Sequence, residues 1–368
     1  MGKVGFDCHH LARVEGIPGF EGPFPGPSGA NKVPNEAALQ MGKFFCIFAS
    51  WMKRFTLILL AALVALPLGA QKTKPKQDMI VFTPQWTAQA QFAGYYVAQE
   101  LGFYEEEGLK VSITHPNATQ SAENRVRSNL SQVTTLQLAQ AVQFAANGLP
   151  MVNILQTSMN NGMVVISRRG KDPMRQQGEK VGIWAGGFTQ LLESVAQQAQ
   201  LNFEWIRAAN MVNLYIAGAV DAIVAMSYNE FFQIRQAGFN VPESCVYRLS
   251  DHGYNIQEDG LYVPRAYYET HKEQALKFAR ASRRGWDYTA AHPEEALDIV
   301  MRYVVKNHIA TNRILQHLML EEILSLQLDP DTHEREYRIR EDMLQQANEI
   351  MMQGGLIQRY VTLEELIR

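Results

Sequence analysis

The stretch MIVFTPQWTAQAQFAGYYVAQELGFYEEEGLKVSI, residues 79–113, predicts a strand, a helix and a second strand. Met79–Phe82 is a short apolar run, and apolar side chains at helical spacing follow over residues 92–101. From Leu109 to Ile113 apolar and polar residues alternate, which is the period of a strand. Strands joined through helices are the unit from which helix-covered parallel sheets are built, so this stretch predicts an α/β fold.

The same alternation continues through the middle of the chain. It predicts further strands at 151–156, 163–167, 181–184 and 221–226, and helices at 136–146, 188–200, 211–217 and 230–237. From Arg265 onward the pattern is helical, over 265–291, 293–306, 311–327 and 336–353. We therefore expect parallel sheets covered by helices, followed by a helical C-terminal part.

The N-terminal seventy residues have a different composition. Residues 1–51 are rich in Gly and Pro and show no periodicity, which is typical of a disordered or spurious extension. Met52-Lys53-Arg54 then precedes an uncharged run, Phe55–Leu66, and the small residues Gly69-Ala70. A basic start, a short apolar run and small residues at the end form a secretory signal peptide, here 52–70. We expect Met52 to be the true start and the protein to be exported to the periplasm; the alternative is a genuine extension.

Composition excludes several classes of protein. Of 368 residues, 46% are hydrophobic, which is enough for one or two packed cores. The net charge of −3 gives no general reason to bind nucleic acid. Of the three cysteines, Cys8 and Cys46 precede the predicted cleavage point and only Cys245 follows it, so no internal disulfide is expected.

The residues that directly follow predicted strands are the candidates for a binding site, because ligands of open α/β sheets lie at the carboxyl ends of strands. Aromatic and small polar residues recur there. They include Trp86 after the first strand, Thr135 at a helix start, Gly186 and Gly187 after Trp184, and Tyr228 and Glu230 after the strand that ends near Met226. Flat rings stack on flat ligands and a carboxylate accepts hydrogen bonds, so the set suits a flat molecule with polar edges.

Enzyme signatures are missing from the sequence. There is no P-loop, no GxGxxG after a strand, no HExxH and no nucleophile elbow. The histidines have no metal-ligand spacing, and we expect neither a metal site nor a cofactor.

Several stretches of the sequence resemble one family, and they occur in the same order along the chain. They are Gln85-Trp86-Thr87, 93–109, 146–152, 178–188, 217–223 and 279–296. Together they are similar to the SsuA/THI5-like (NMT1-like) family, which includes proteins that bind thiamine pyrimidine precursors, sulfonates or nitrate. The similarity runs over about 78–330.

The resemblance implies a type II periplasmic binding protein, with two α/β lobes around a central cleft. One lobe would hold 78–168 plus 262–368 and the other 169–261. In the pyrimidine-binding branch the cleft uses stacked aromatics and a carboxylate. The positions that match here are Trp86, Tyr95, Trp184, Tyr228 and Glu230, with Gly186 and Gly187 at a helix start and Tyr254 and Asp259 where the chain re-enters the cleft. The implied partners are a membrane permease and an ATPase of an ABC importer, and the implied state is a monomer that is not an enzyme.

Three alternatives stay open at the level of sequence. Eukaryotic members of the family are synthases that make the thiamine pyrimidine, 4-amino-5-hydroxymethyl-2-methylpyrimidine phosphate. Their sequences contain a cysteine-rich stretch that this chain lacks. An anion such as a sulfonate or nitrate would require Arg or Lys in the cleft, and the strand-end residues include neither. Riboflavin also stacks on aromatics, and the sequence does not separate it from a pyrimidine.

Overall fold

The described part of the chain has two mixed sheets. The computed structural model describes residues 79–117, 119–168, 170, 178–185 and 189–367; the predicted extension 1–51 and signal peptide 52–70 lie outside them. Within this part no helix has both the length and the apolar character needed to cross a membrane.

The first sheet has the strand order β2-β1-β3-β10-β4. Its strands are β1 Ile80–Thr83, β2 Val111–Ile113, β3 Val133–Leu136, β4 Met151–Gln156 and β10 Gly260–Pro264. β1 pairs in parallel with β2 and β3, whereas β10 runs antiparallel to β3 and β4.

The second sheet has the order β7-β6-β8-β5-β9. Its strands are β5 Met163–Ser167, β6 Lys180–Trp184, β7 Glu204–Ala208, β8 Ala222–Met226 and β9 Val246–Arg248. β6 is parallel to β7 and β8, but β5 is antiparallel to β8 and β9. The expectation of purely parallel sheets is therefore wrong for β5 and β10. These are the two strands that the chain enters directly from the other sheet, without the helical crossover that a parallel neighbour needs.

Twelve helices are present in the described residues. They are α1 Ala93–Glu100, α2 Phe103–Glu106, α3 Ala122–Arg127, α4 Leu138–Ala146, α5 Gln190–Gln198, α6 Met211–Ile216, α7 Glu230–Gln236, α8 Arg265–Ala291, α9 Pro293–Lys306, α10 Arg313–Leu326, α11 Glu341–Gln353 and α12 Leu363–Ile367. The four long C-terminal helices lie within the predicted ranges, but α11 begins at Glu341 and not at residue 336.

Close packing of α1 on α8 anchors the first sheet. A Cβ added to Gly285 would lie 2.9 Å from Ala98 Cβ and would also overlap the carbonyl oxygen of Gly94. Glycine at both positions therefore lets the two helices approach closely. Beneath them the Tyr95 ring meets Phe82 and Trp286 edge-on, with centroids 5.0 and 5.5 Å apart.

Two segments, 157–162 and 249–259, carry the chain between the sheets and run side by side. The Thr157 and Ser158 amides donate to the Asp259 carbonyl at 3.0 and 2.9 Å, and the Asn161 amide donates to Asn255 Oδ1 at 2.8 Å. β5, which follows segment 157–162, pairs in the second sheet.

Candidate functional site

A pocket lies where the strand ends of the two sheets face each other. Its space between atoms, including its open mouth, is about 360 Å³. Five of its lining residues follow β1 and β3, and five lie at the ends of β6 and β8: Gln85, Trp86, Gln89, Gln91 and Gln137, then Trp184, Met226, Tyr228, Asn229 and Glu230. Both sheets thus contribute to one site at their strand ends.

Four of the residues that the sequence singled out line this pocket together: Trp86, Trp184, Tyr228 and Glu230. Trp86 comes from the loop after β1 and is half-buried. Trp184 is the last residue of β6, and Tyr228 lies between β8 and α7; both are buried. Aromatic faces are therefore present on both sides of the pocket.

Glu230 is buried, and its carboxylate is largely occupied by the protein itself. Oε2 accepts from the Met226 amide at 2.9 Å, while Oε1 accepts from Trp184 Nε1 at 3.2 Å and from Asn229 Nδ2 at 3.3 Å. Burial raises the pKa of the Glu230 carboxyl, and these N–H donors work against that shift. A carboxylate has about four lone-pair positions, so Glu230 retains little free acceptor capacity. Its first role in the structure is to fix the Trp184 ring in the pocket wall.

Three of the other predicted residues, Tyr95, Thr135 and Tyr254, are not among the described residues that line the pocket. Tyr95 lies in the core between Phe82 and Trp286, and its ring is fully buried. Thr135 is buried and acts indirectly, because its Oγ1 accepts from the Gln85 amide at 2.9 Å. Tyr254 is half-buried against the core. Gly186 and Gly187 lie outside the described residues.

Asp259 lies behind the pocket and binds two of its lining residues. Oδ1 accepts from Gln85 Nε2 at 2.6 Å, and Oδ2 accepts from Gln91 Nε2 at 2.7 Å. The side chain of Gln91 in turn accepts from Gln89 Nε2 at 2.6 Å. Burial raises the pKa of Asp259 to about 6, while the bonds from Gln91 and Gln85 lower it. Asp259 is therefore ionised at neutral pH and holds a chain of amides in place.

His115 fixes the backbone of the pocket loop. Its Nδ1 lies 2.7 Å from the Trp86 carbonyl oxygen and its Nε2 lies 2.9 Å from the Tyr96 hydroxyl. The carbonyl can only accept, so Nδ1 carries the proton and Tyr96 donates to Nε2. Burial lowers the pKa of His115 to about 4, which keeps the ring neutral at physiological pH.

The amide side chains of the lining are what sequence reasoning missed. Gln85, Gln89 and Gln91 follow β1, and Gln137 follows β3 directly. Position after a strand was the available signal, but isolated glutamines are common on surfaces. In the structure all four are buried.

The described lining carries no Lys, Arg or His and no nucleophile paired with a base. Among the described residues there is also no group of three or more His, Cys, Asp or Glu side chains placed to hold a metal. The arrangement offers aromatic faces, amide donors and acceptors, and one buried acid. Such a pocket suits a small, flat and uncharged molecule with polar edges.

Curated relatives share low identity over most of their length. A Haemophilus influenzae protein named for thiamine biosynthesis is 25% identical, over 81% of this chain and 95% of its own. The 4-amino-5-hydroxymethyl-2-methylpyrimidine phosphate synthase of Aspergillus parasiticus is 25% identical over 60% and 69%. A riboflavin-binding protein of Chloroflexus aurantiacus is 23% identical over 69% and 74%. A formylaminopyrimidine-binding protein of Halalkalibacterium halodurans is 22% identical over 76% and 86%.

Solved structures share the fold. The ligand-binding component of an ABC-type import system from Staphylococcus aureus superposes with a TM-score of 0.59 at 10% identity, covering 79% of this chain and 97% of that one. The periplasmic aliphatic sulphonate-binding protein SsuA of Escherichia coli gives 0.56 at 13% identity, covering 79% and 92%. The fold is therefore that of a type II periplasmic binding protein, two α/β lobes with a helical C-terminal part. The sequence model described as NMT1/THI5 like matches residues 89–296, more than half of the chain, and the protein belongs to the NMT1/THI5-like family.

Proposed function

We propose that this protein is the solute-binding component of an ABC importer and that it holds a small heteroaromatic nutrient, a thiamine pyrimidine precursor of the hydroxymethylpyrimidine or formylaminopyrimidine type. One observation carries the proposal: aromatic rings from both sheets and a set of buried amides meet in one pocket whose described lining has no cationic side chain. A neutral ring with amine and ring-nitrogen edges matches that chemistry. The names of three of the four relatives above, which refer to thiamine or its pyrimidine, support the same ligand class.

Capture follows from the position of the pocket. Since its two walls belong to different sheets, a bound ring contacts both lobes only when they are close together. The ligand therefore favours the closed arrangement over an open one by its differential contacts. Export through the signal peptide 52–70 and delivery to a permease and an ATPase complete the proposal.

An anion such as a sulfonate or nitrate fits this lining poorly. It would require Lys, Arg or many N–H donors, and the buried acid Glu230 would oppose it. A synthase is likewise disfavoured, because the described lining holds no histidine and no nucleophile paired with a base. Riboflavin stays the alternative binding ligand, and one relative carries that name.

A thermal-shift panel tests the proposal. The purified protein is heated with the hydroxymethylpyrimidine, the formylaminopyrimidine, thiamine, riboflavin, an alkanesulfonate and nitrate. We expect the pyrimidines to raise the melting temperature most, because a ligand that binds only the native state stabilises it by mass action. A larger shift with sulfonate or nitrate would overturn the proposed ligand class, and a larger shift with riboflavin would replace the pyrimidine.

A further inference from the structure

We propose that Asp259 is a positioning residue that sets ligand specificity. It orients the pocket amides so that their carbonyl oxygens, and not their NH₂ groups, are left for the ligand, and it thereby selects rings that present N–H donors at that edge. The inference rests on the proposed function, since it names the edge of the ligand that the site reads.

At Asp259 the direction of the hydrogen bonds is fixed, because the carboxylate can only accept. Both of its carboxylate oxygens accept from side-chain amides, Oδ1 from Gln85 Nε2 at 2.6 Å and Oδ2 from Gln91 Nε2 at 2.7 Å. An ionised carboxylate has no proton to donate. Each glutamine must therefore turn its NH₂ group toward Asp259.

Carbonyl oxygens of these amides are the groups left to bind a ligand in the pocket. With its NH₂ group used, Gln85 is left with Oε1, a buried carbonyl oxygen that has no hydrogen-bond partner among the described residues. The Gln91 carbonyl oxygen accepts from Gln89 Nε2 at 2.6 Å, so the same direction passes on to Gln89. Gln85 and Gln89 both line the pocket. A buried acceptor without a partner is unfavourable, and a ligand N–H placed there removes that penalty.

The carboxylate form of Asp259 prevails in this environment. The described ionisable side chains that interact electrostatically with Asp259 are Glu258, Tyr228, Tyr95 and Tyr262; all four are buried. The described residues around the small cavity beside it include no Lys or Arg. The amides of Gln85 and Gln91 are thus the donors that hold its charge, and with a pKa of about 6 the group is ionised at pH 7.5.

The test compares two ligands and three proteins at pH 7.5. The ligands are 4-amino-5-hydroxymethyl-2-methylpyrimidine and its 4-methoxy counterpart, in which a methoxy group replaces the amine and no N–H donor is left at that edge. The proteins are wild type, Asp259→Asn and the matched control Asp251→Asn, which changes an exposed aspartate in the 250–252 turn. An asparagine can both donate and accept, so the glutamines are free to turn over in Asp259→Asn.

We expect the wild type and Asp251→Asn to prefer the amino ligand by about tenfold or more, and Asp259→Asn to bring the two affinities within about threefold of each other. A merely structural role would weaken both ligands alike and keep their ratio, which would overturn the inference. Should Asp259→Asn fail to fold, Gln85→Met removes the same carbonyl at similar length. An unchanged ratio in that variant would also overturn it.

A measurement without ligand tests the role of Asp259 independently of which molecule the pocket binds. Wild type that binds neither pyrimidine would refute the proposed function. The side-chain amide resonances of Gln85 and Gln91 then decide the inference. We expect them to exchange slowly with water in wild type and rapidly in Asp259→Asn, and equal exchange in the two proteins would overturn it.

Discussion

Trp86 is the most exposed of the three aromatic rings in the described pocket lining. We expect Trp86→Ala to lower affinity for the pyrimidine about tenfold, because stacking on an aromatic ring contributes roughly 1–3 kcal/mol per base. Calorimetric titration measures the effect. Trp205→Ala is the matched control, since that half-buried ring packs on Phe203 at 5.2 Å and lies outside the pocket lining. Equal affinity losses in the two variants would contradict a stacking role for Trp86.

Glu230 combines a structural role with a place in the lining. In Glu230→Gln an NH₂ group replaces one carboxylate oxygen, so it faces either the Met226 amide or the N–H groups of Trp184 and Asn229. We expect the free energy of unfolding to fall by about 1–3 kcal/mol, since a buried donor then loses its partner. We also expect pyrimidine affinity to fall about tenfold as the Trp184 ring shifts.

Urea unfolding and calorimetric titration of Glu230→Gln check both expectations. Glu243→Gln, at an exposed glutamate, is the control and should change neither quantity. Wild-type stability in Glu230→Gln would show that the carboxylate does not hold the pocket wall.

At the scale of elements, the segment after β2 fixes the segment after β1 through His115. The ring is neutral in the folded protein with a pKa of about 4, against 6.5 in the unfolded chain. Between these values the unfolded state binds more protons, so the contribution of His115 to stability is complete above pH 6.5 and is lost as the pH falls toward 4.

Urea unfolding of wild type and His115→Gln over pH 4 to 7.5 measures that contribution. The groups that face the ring are the Trp86 carbonyl, the Tyr96 hydroxyl and the Phe92 ring. We expect the difference in unfolding free energy between the two proteins to shrink as the pH falls through this window. A difference that stays constant would show that His115 is not buried in its neutral form.

The contact between α1 and α8 makes a second prediction at this scale. Gly285→Ala places a methyl group against the Gly94 carbonyl and Ala98, so we expect a loss of about 1–3 kcal/mol in stability. Thermal and urea unfolding measure it, with the exposed α8 variant Glu269→Ala as reference. Wild-type stability in Gly285→Ala would mean that the helices can separate without cost.

The sequence predicts regular elements better than pairing. The ranges 265–291 and 293–306 are helical as predicted, apart from a kink at His271, because a sustained apolar period and Pro293 at a helix start are strong local signals. Three strands of the structure, β7 Glu204–Ala208, β9 Val246–Arg248 and β10 Gly260–Pro264, were not among the predicted ones. The direction of β5 and β10 depends on how the chain crosses between sheets, which no local pattern contains.

In the site, too, local sequence patterns predicted some residues, whereas contacts between distant residues could not be predicted. Trp86, Trp184, Tyr228 and Glu230 could be predicted to meet because each lies directly after a strand or ends one. Tyr95 is also aromatic, but it lies within α1 and not after a strand, and its side chain is buried in the core. The bond between Gln85 and Asp259 joins residues 174 positions apart, so only the fold brings that pair together.

At the scale of the whole molecule, the two sheets are linked by segments 157–162 and 249–259 and by the C-terminal helices. α10 ends against the first of these segments, where the Met159 amide donates to the Leu326 carbonyl at 2.9 Å. Asn312, just before α10, donates to Gln236 of α7 at 3.2 Å. The C-terminal part thus contacts both a segment that joins the sheets and a helix that follows a strand of the second sheet.

Isothermal titration of the purified protein with 4-amino-5-hydroxymethyl-2-methylpyrimidine, and separately with ethanesulfonate, distinguishes a pyrimidine-binding protein from a sulfonate-binding one. We expect a single site of micromolar or tighter affinity, about −8 kcal/mol or better, for the pyrimidine and no measurable heat for the sulfonate. The pyrimidine should be recovered unchanged from the complex. Saturable binding of the sulfonate without binding of the pyrimidine would contradict the account.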